Sequence, residues 1–363
     1  MTTLHDARFW QVEDERVVCT LCPHLCKLKD GQLGACGVRV AHDSKLFTVV
    51  YDRVIARHID PIEKKPLFHF YPGSTAYSIS TVGCNLRCSF CQNWDISQWP
   101  KEHLPRKFEW ETDDRDESLC PKLAAAQELP GESVTPELIV EAALASGAKT
   151  VAYTYTEPTI FFELVHDTAK LAKERGLRNI LVSNGFTSEA PLRKWAEVID
   201  GVNVDLKFFK DESYRKISRC SLQPILDSIR LYHELGVWLE VTTLVIPGVN
   251  DSDEELRQIA EYVASVGVDI PWHISQFYPA WKMNDVPVTP HETLRRAGKI
   301  GRGAGLRYVY EGNVPGGGGE STRCYRCGEL LVDRYGYVIR ANRIVDGACP
   351  DCGAEIDGVG MSA

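Results

Sequence analysis

The segment Ala76–Cys91 reads AYSISTVGCNLRCSFC, a run rich in small and β-branched residues followed by cysteines spaced C-x3-C-x2-C. Three thiolates on one loop can bind three irons of a cubane [4Fe–4S] cluster, which leaves the fourth iron without a protein ligand. Zinc prefers four closed ligands drawn from paired knuckles, so it suits this spacing poorly. The segment therefore predicts a strand that leads into a [4Fe–4S] site on Cys84, Cys88 and Cys91, with one iron open to a substrate. Three packing thiols are the alternative.

Outward from this segment, strand-like and helix-like stretches alternate from about residue 76 to residue 313. Such alternation is typical of an α/β fold with a parallel sheet, and six or seven βα units indicate a partial or complete barrel. In barrels the chemistry takes place at the carboxyl ends of the strands. The predicted strands are Ala76–Val82, Thr150–Tyr155, Asn179–Ser183, Val202–Leu206, Trp238–Ile246, Trp272–Phe277 and Leu306–Tyr310.

The cysteine spacing, with Phe90 before the third cysteine, resembles that of the radical SAM superfamily and, more narrowly, that of the pyruvate formate-lyase activating enzymes. The resemblance covers about residues 76–313 and implies a partial TIM-like (β/α)6 barrel. It also implies that the open iron chelates the amino and carboxylate groups of S-adenosylmethionine (SAM). One electron then cleaves the sulfonium to methionine and a 5′-deoxyadenosyl radical, which abstracts hydrogen from a substrate.

The resemblance extends to residues at the predicted strand ends. Glu157 follows Tyr155-Thr156 where the family has Gly-Gly-Glu-Pro, and it is expected to accept hydrogen bonds from the ammonium of SAM. Val182 stands where the family has an aspartate, which removes one expected carboxylate. The other residues that the resemblance places near SAM are Phe90, Ser183, Asn184, Asp205, Lys207, Ile246 and His273.

Three of these residues carry specific expectations from the resemblance. Lys207 is expected to pair with the carboxylate of SAM, Asp205 to orient Lys207, and His273 to contact the adenosine. The ordinary alternatives are a structural salt bridge for Lys207 and Asp205, and a buried, hydrogen-bonded histidine for His273.

The composition excludes several functional classes. The 363 residues carry a net charge of −9 without a block of basic residues, so the chain lacks the footprint of a general nucleic-acid binder. No apolar run is long enough to span a bilayer, and residues 1–10 do not read as a signal peptide. We therefore expect a cytoplasmic protein that binds neither nucleic acid nor membranes.

Eleven of the thirteen cysteines fall into three groups, and Cys120 and Cys220, which stand alone, are expected to be packing residues. In a reducing compartment, grouped thiols indicate metal binding rather than disulfides. The tail has two C-x2-C pairs, Cys324 with Cys327 and Cys349 with Cys352, joined by a β-like stretch. This pattern predicts a structural zinc-ribbon-like site for zinc, with a rubredoxin-type iron as the alternative.

The N-terminal cysteine group permits more than one metal. Cys19, Cys22, Cys26 and Cys36 can hold either zinc or a second iron–sulfur cluster, and His24 could replace one cysteine. The predicted organisation is an N-terminal Cys-rich extension over residues 1–75, a core over 76–313 and a glycine linker with the tail over 314–363. Within the core, the charged residues 100–133 are predicted to form a surface insertion.

The flanks narrow the resemblance. Cys-x2-Cys-Pro-His at 19–24, residues 60–67 and residues 152–155 occur together with the tail knuckles. The combination resembles the radical SAM member of the so-called AmmeMemoRadiSam system, which implies Memo-like and AMMECR-like partners. A flavodoxin-like or ferredoxin-like protein is implied as the reductant.

Three functions remain open from the sequence. The main prediction is a radical SAM enzyme whose substrate is undetermined, either a small molecule or a protein side chain. A second is an activase that forms a glycyl radical on another enzyme. The third, of another class, is a non-enzymatic iron–sulfur and zinc electron carrier or scaffold, although electron transfer usually uses a cluster with four protein ligands.

Overall fold

The computed structural model describes residues 4–108, 129–314 and 316–362. The N-terminal extension contains short antiparallel strands in two three-stranded sheets, with orders β1-β6-β5 and β2-β3-β4. Its strands are β1 His5–Asp6, β2 Trp10–Glu13, β3 Arg16–Cys19, β4 Lys27–Leu28, β5 Arg39–His42, β6 Lys45–Thr48, β7 Arg53–Val54 and β8 Ala56–Pro61. A 3-10 helix, Ile62–Lys64, follows β8.

The core alternates strands and helices, as the sequence predicts. Its strands are β9 Thr75–Ser80, β10 Glu132–Ser133, β11 Thr150–Tyr153, β12 Arg178–Ser183, β13 Gly201–Asp205, β14 Trp238–Val245, β15 Trp272–Gln276 and β16 Val309–Gly312. Its helices are α1 Trp94–Ser97, α2 Trp99–His103, α3 Pro136–Ala145, α4 Phe162–Glu174, α5 Glu189–Trp195, α6 Asp211–Ser213, α7 Gln223–Glu234, α8 Asp253–Val266 and α9 His291–Gly303. A 3-10 helix spans Pro158–Phe161, and a π-helix spans Tyr214–Ser218.

The main sheet has eight strands in the order β16-β15-β14-β13-β12-β11-β9-β8. The seven strands from β9 to β16 in this order are parallel, and β8 pairs with β9 in the antiparallel direction. All four residues of β11 are buried, because helices cover a parallel sheet on its outer side. The predicted α/β fold is confirmed, and the predicted extension contributes β8 to the sheet edge.

Each long helix packs an apolar face against this sheet. On α8 the buried residues Leu256, Ile259, Ala260 and Val263 recur at the spacing of one helical face. Ser252 caps the helix by accepting a 3.3 Å hydrogen bond from the Glu255 N–H. Burying such a large aliphatic side chain contributes about 1.5–3 kcal/mol, so these faces hold the helices to the sheet.

The N-terminal extension contacts the core through buried groups. Arg39 on β5 forms a 2.6 Å ion pair with Glu163 on α4, and both side chains are almost fully buried. Gly83, three residues after the end of β9, has φ +101°, and a Cβ at this position would lie 2.8 Å from Val38. Because only glycine fits there, the extension packs directly against the loop that carries the central cysteines.

The tail forms a three-stranded antiparallel sheet that packs on the core. Its strands are β17 Thr322–Arg323, β18 Leu330–Tyr335 and β19 Val338–Asn342. Arg334 on β18 is buried, donates to Phe68 O at 2.8 Å and lies 3.6 Å from the carboxylate of Glu63. Tyr310 on β16 forms a 2.5 Å hydrogen bond with His69 and a 2.8 Å hydrogen bond with Thr322 Oγ1 on β17. The tail is therefore joined to both the core and the N-terminal extension by buried polar contacts.

Most of the predicted insertion lies outside the described residues, at 109–128, as does Cys120. Its described flanks form α2 and β10, and β10 pairs with β7 of the extension. In the part of the chain that the structure describes, no helix combines the length and apolar character needed to cross a bilayer.

Candidate active site

The three central cysteines lie on a loop that begins three residues after β9 ends. The π-helix Tyr214–Ser218 holds this loop from behind: Arg87 N–H donates to Ser218 O at 3.0 Å, and Ser89 N–H donates to Ile217 O at 3.1 Å. These two contacts fix the backbone on either side of Cys88. The loop conformation is therefore determined by a segment more than 100 residues away along the chain.

Hydroxyl and amide groups lie next to all three sulfurs. Cys88 Sγ is 3.3 Å from Ser218 Oγ, and Cys91 Sγ is 3.4 Å from Ser97 Oγ. Cys84 Sγ accepts a hydrogen bond from the Leu86 N–H at 3.3 Å. Burial raises the pKa of the Cys84 and Cys88 thiols, so a metal is needed to hold them as thiolates. Three sulfurs line one cleft, and each lies beside a potential hydrogen-bond donor. Such a set of thiol ligands fits an iron–sulfur cluster.

Glu157 lies at the start of the 3-10 helix that follows β11, and it is 2% exposed. Its Oε1 accepts from Thr159 Oγ1 at 2.6 Å and from Ser183 Oγ at 2.9 Å, and its Oε2 accepts from the Asn184 N–H at 2.7 Å. Burial raises the pKa of this carboxyl, and the hydrogen bonds from these residues oppose that shift. Oε2 keeps a lone pair for one further donor from the cleft.

Tyr155 has φ +65°, a left-handed conformation that is uncommon outside glycine. This residue stands where the resembling family has glycine, which adopts such an angle without strain. Here the ring is held by its neighbours: the hydroxyl donates to Asp60, and Lys65 Nζ lies 4.4 Å from the ring centroid. These contacts compensate a backbone strain of about 1–2 kcal/mol and bring Asp60 and Lys65 to the site.

Lys207 and Asp205 form an ion pair at the end of β13, with Lys207 Nζ 2.6 Å from Asp205 Oδ2. The ammonium lies 5.9 Å from the Phe90 ring centroid. Burial lowers the pKa of Lys207, but the Asp205 carboxylate more than offsets this effect and the net pKa is raised. Lys207 is therefore a cation next to the cysteine loop.

Most of the predicted site residues meet in one cleft of about 510 Å³ at the carboxyl ends of the strands. The lining includes the predicted residues Cys84, Cys88, Phe90, Cys91, Glu157, Ser183, Asn184, Asp205 and Lys207. Because residues that follow β9, β11, β12 and β13 share this cleft with Thr242, Ser275 and Asn313, the sheet curls around it. This curl is the geometry of a partial barrel with its site at the strand ends.

The structure places two predicted residues outside the cleft. Ile246 is fully buried behind it, where its N–H donates to Asn250 Oδ1 at 2.6 Å. His273 lies two residues before the cleft residue Ser275, deeper in the sheet, and its Nε2 is 2.6 Å from Glu240 Oε2. His273 is thus a buried, hydrogen-bonded histidine, and its expected contact with adenosine has no support in this geometry.

Sequence reasoning did not identify Lys65 and Tyr337 as cleft residues. Lys65 donates to Asp60 Oδ2 at 2.6 Å, and burial lowers its pKa to about 8 although Asp60 opposes the shift. The run Asp60-Pro-Ile-Glu-Lys-Lys was the available signal for Lys65. Tyr337 belongs to the β18–β19 turn of the tail, and no local pattern connects this turn with the cleft.

The four tail cysteines form a compact group whose sulfurs all lie within 4.8 Å of one another. Cys324 Sγ is 3.6 Å from Cys352 Sγ, and Cys327 Sγ is 3.7 Å from Cys349 Sγ. Tetrahedral zinc with Zn–S bonds of about 2.3 Å places its sulfurs about 3.8 Å apart. The donor set therefore fits one mononuclear metal ion. The four N-terminal cysteines lie on the extension, beside the central loop, and no three of their sulfurs lie within 4.8 Å of one another.

Comparison with known proteins identifies a family and relatives of different extent. A profile of the Radical SAM superfamily matches residues 78–262. The uncharacterized protein MJ0808 of Methanocaldococcus jannaschii is 39% identical over 359 residues, which cover 98% of this chain and 99% of that protein. The pyruvate formate-lyase 1-activating enzyme of Escherichia coli K12 is 25% identical over 187 residues, or 51% of this chain and 67% of that enzyme.

Among solved structures, a radical SAM methyltransferase from Sphaerobacter thermophilus aligns with 91% of this chain and 82% of its own, at 17% identity and a TM-score of 0.46.

Proposed function

This chain belongs to the radical SAM superfamily and is an enzyme of that kind, and from this premise we propose that Cys84, Cys88 and Cys91 hold the [4Fe–4S] cluster at which it cleaves SAM. The observation that carries the proposal is the shared cleft, in which the three sulfurs face Glu157 and Lys207. When bound and reduced, the cluster supplies one electron to the SAM sulfonium, which yields methionine and the 5′-deoxyadenosyl radical.

The side chains of the cleft orient SAM by charge. The free lone pair of Glu157 Oε2 accepts from the SAM ammonium, and the Lys207 ammonium pairs with the SAM carboxylate. Val182 lines the same wall and contributes no carboxylate, so Glu157 and Asp205 supply the negative charge on this side. Ser183 and Asn184 act through Glu157, because their donors hold its carboxylate in one position.

The radical removes hydrogen from a substrate that enters the same cleft. One candidate is the backbone glycine of a partner enzyme, and the similarity to a pyruvate formate-lyase activating enzyme over 51% of the chain supports this activase reading. The other is a small molecule or another protein side chain, supplied by Memo-like or AMMECR-like partners. Tyr337 of the tail favours this second reading, since it narrows the cleft with a residue from outside the core.

The tail metal, the electron donor and the compartment complete the proposed function. The tail cysteines hold one structural zinc ion, because the distances between their four sulfurs match those of tetrahedral zinc coordination. A flavodoxin-like or ferredoxin-like protein donates the electron. The enzyme works in the cytoplasm, where reducing conditions keep its cysteines as thiols that can bind metal.

An anaerobic assay tests the central claim. The reconstituted protein is reduced with dithionite, SAM is added, and 5′-deoxyadenosine is quantified. We expect the product from the native chain, and its loss in Cys84→Ala, Cys88→Ala and Cys91→Ala. Cys220→Ala, which removes a buried thiol outside the three groups, is the matched control and keeps the product. If an intact and reduced cluster yields no product, the alternative of an electron carrier or scaffold replaces the proposal.

A further inference from the structure

We propose that Cys19, Cys22, Cys26 and Cys36 hold a second iron–sulfur cluster, and that this cluster relays electrons to the central cysteine loop. The relay, but not the second cluster itself, rests on the function proposed above.

The four thiols converge on one small space in the extension. The Cys19 N–H donates to Cys26 O at 3.0 Å, which folds the segment after β3 back on itself. A Cβ at Gly34 would lie 3.7 Å from Cys26 Sγ and 3.8 Å from Cys36 Sγ, so this glycine sits between the two sulfurs. Cys19, Cys22 and Cys36 are buried, and Cys26 is partly exposed.

Backbone amides point at three of these sulfurs. Ala35 N–H donates to Cys26 Sγ at 3.4 Å, and the backbone N–H groups of His24 and Val38 hydrogen-bond to the sulfurs of Cys22 and Cys36. Amide donors aimed at sulfur are the outer contacts that stabilise and tune an iron–sulfur cluster. Thiols that merely fill a core have no need of such donors.

The spacing of the sulfurs favours a cluster over a single ion. Among the described residues, only the tail group brings three or more Cys, His, Asp or Glu ligand atoms within 4.8 Å of one another. In the N-terminal group and in the central loop, no three such atoms lie this close together, although each group has at least three thiols. A cubane is larger than one zinc ion, so its ligand sulfurs stand farther apart than the about 3.8 Å of tetrahedral zinc.

Two cationic side chains, the partly buried Lys101 and the buried Arg39, lie beside the N-terminal cysteines, where a thiolate-bound cluster would introduce negative charge. Lys101 Nζ donates to the carbonyl of Leu86, two residues after Cys84, at 2.7 Å, and a Cβ at Gly37, the residue after Cys36, would lie 3.6 Å from Lys101 Cγ, so this side chain contacts both cysteine segments. Arg39 is 1% exposed, and its Nε has no hydrogen-bond partner within the described ranges. A donor left without a partner beside these thiols is expected when the acceptor is a group bound there.

The two cysteine groups are connected by direct contacts. His24, within the N-terminal group, donates from Nε2 to the carbonyl of Asn85, the residue after Cys84, at 2.8 Å. A Cβ at Gly83, the residue before Cys84, would lie 3.1 Å from Cys36 O. Both neighbours of Cys84 therefore touch the N-terminal group, which is the close approach that electron transfer between two clusters requires.

A reduced ferredoxin-like or flavodoxin-like donor loses one electron, and the N-terminal cluster is reduced from the 2+ to the 1+ state. The central cluster then takes this electron, and the N-terminal cluster returns to 2+. Leu25, between Cys22 and Cys26, is 51% exposed, so the edge of this site reaches the surface where a donor protein can approach.

Iron and sulfide analysis tests the second cluster without any SAM chemistry. In the triple variant Cys84→Ala/Cys88→Ala/Cys91→Ala, anaerobic reconstitution is expected to leave about four irons and four sulfides per chain. Adding Cys22→Ala/Cys26→Ala to this triple variant is expected to remove these irons and sulfides. The sulfide count distinguishes a second cluster from a rubredoxin-type iron in the tail, because a rubredoxin-type site contains no inorganic sulfide. A triple variant with two zinc ions and no sulfide overturns the proposal, and Cys22→Ala/Cys26→Ala in the native background guards against misfolding, since it should lose about four irons and four sulfides and keep the central cluster.

A ratio of rates tests the relay. Cleavage of SAM is measured with a reduced ferredoxin and with dithionite, and the ratio of the two rates is expected to fall at least about tenfold in Cys22→Ala/Cys26→Ala. An unchanged ratio overturns the relay. If the native chain cleaves no SAM with either reductant, the proposed function fails, while the iron and sulfide counts still decide the second cluster.

Discussion

The backbone N–H of Asn184 donates a 2.7 Å hydrogen bond to Oε2 of Glu157, while the Asn184 side-chain amide donates to Asn85 Oδ1 at 2.9 Å. The ends of β11 and β12 are thereby tied to the loop that carries Cys84. The carboxylate expected to bind SAM and the thiolate expected to bind iron share one hydrogen-bonded frame, so a change in either is expected to disturb the other.

Glu157→Gln is expected to weaken SAM binding at least about tenfold, because the side chain loses its charge and one amide hydrogen faces the Asn184 N–H. The variant should also lose about 1–3 kcal/mol of unfolding free energy, the cost of a buried unsatisfied donor. Equilibrium dialysis of SAM and denaturant unfolding measure the two effects. Glu174→Gln, at the end of α4, is the control, and an unchanged SAM affinity in Glu157→Gln would contradict the role of this carboxylate.

Lys207→Met is expected to raise the dissociation constant for SAM by at least about tenfold, since the SAM carboxylate loses its cation and Asp205 is left unpaired near it. Lys170→Met, on the exposed side of α4, serves as the control for loss of one positive charge. Isothermal calorimetry on the reconstituted proteins gives the affinities. Equal affinities in the two variants would show that Lys207 is only a structural partner of Asp205.

Removal of the tail metal is expected to loosen the tail and to change the cleft wall at Tyr337. Cys327→Ser should lose about one zinc per chain and lower the melting temperature, because metal binding contributes directly to folding in small zinc sites. Elemental analysis and calorimetry measure these effects, with Cys220→Ser as the control. A native chain with one tail iron and no zinc would instead support the rubredoxin-type alternative.

The buried ion pair between Arg39 and Glu163 is expected to be sensitive to loss of one partner. Glu163→Gln leaves the Arg39 guanidinium buried without its counter-ion and should cost about 3–5 kcal/mol. The double change Arg39→Met/Glu163→Leu should cost less, because no charge remains in the core. Glu189→Gln removes an exposed partner of Arg193 and should cost about 1 kcal/mol or less. Equal losses in Glu163→Gln and Glu189→Gln would contradict the expectation.

Acidification is expected to weaken the contact between the tail and the core through His69. Burial lowers the pKa of His69 to about 4, although Glu240 opposes the shift, and its ring donates to Asp357 O at 2.6 Å. The unfolded state, with a pKa of about 6.5, binds this proton first, so stability present above pH 6.5 is lost as the pH falls toward 4.

The full loss from this residue is at most about 3 kcal/mol. Unfolding free energies from pH 7.5 to 4 should therefore fall less steeply in His69→Gln than in the native chain. Parallel pH profiles in the two proteins would exclude His69 as the titrating group.

The sequence alone determined the features that depend on local spacing. The C-x3-C-x2-C loop, the tail knuckles and the alternation of strands and helices were predictable, because ligand geometry and side-chain periodicity act over a few residues. The cleft residues Glu157, Asn184 and Lys207 followed from the resemblance to the radical SAM family, together with the rule that strand ends in a parallel sheet face one side.

Only the tertiary structure decided which residues from distant segments meet. His273 and Ser275 lie on one strand and one face, yet the depth of the cleft separates them, and Glu240 holds His273 below it. Lys65 and Tyr337 reach the cleft from opposite ends of the chain, and His24 reaches Asn85 across 61 positions. Such contacts arise from the packing of whole elements against one another, which local propensity and spacing do not encode.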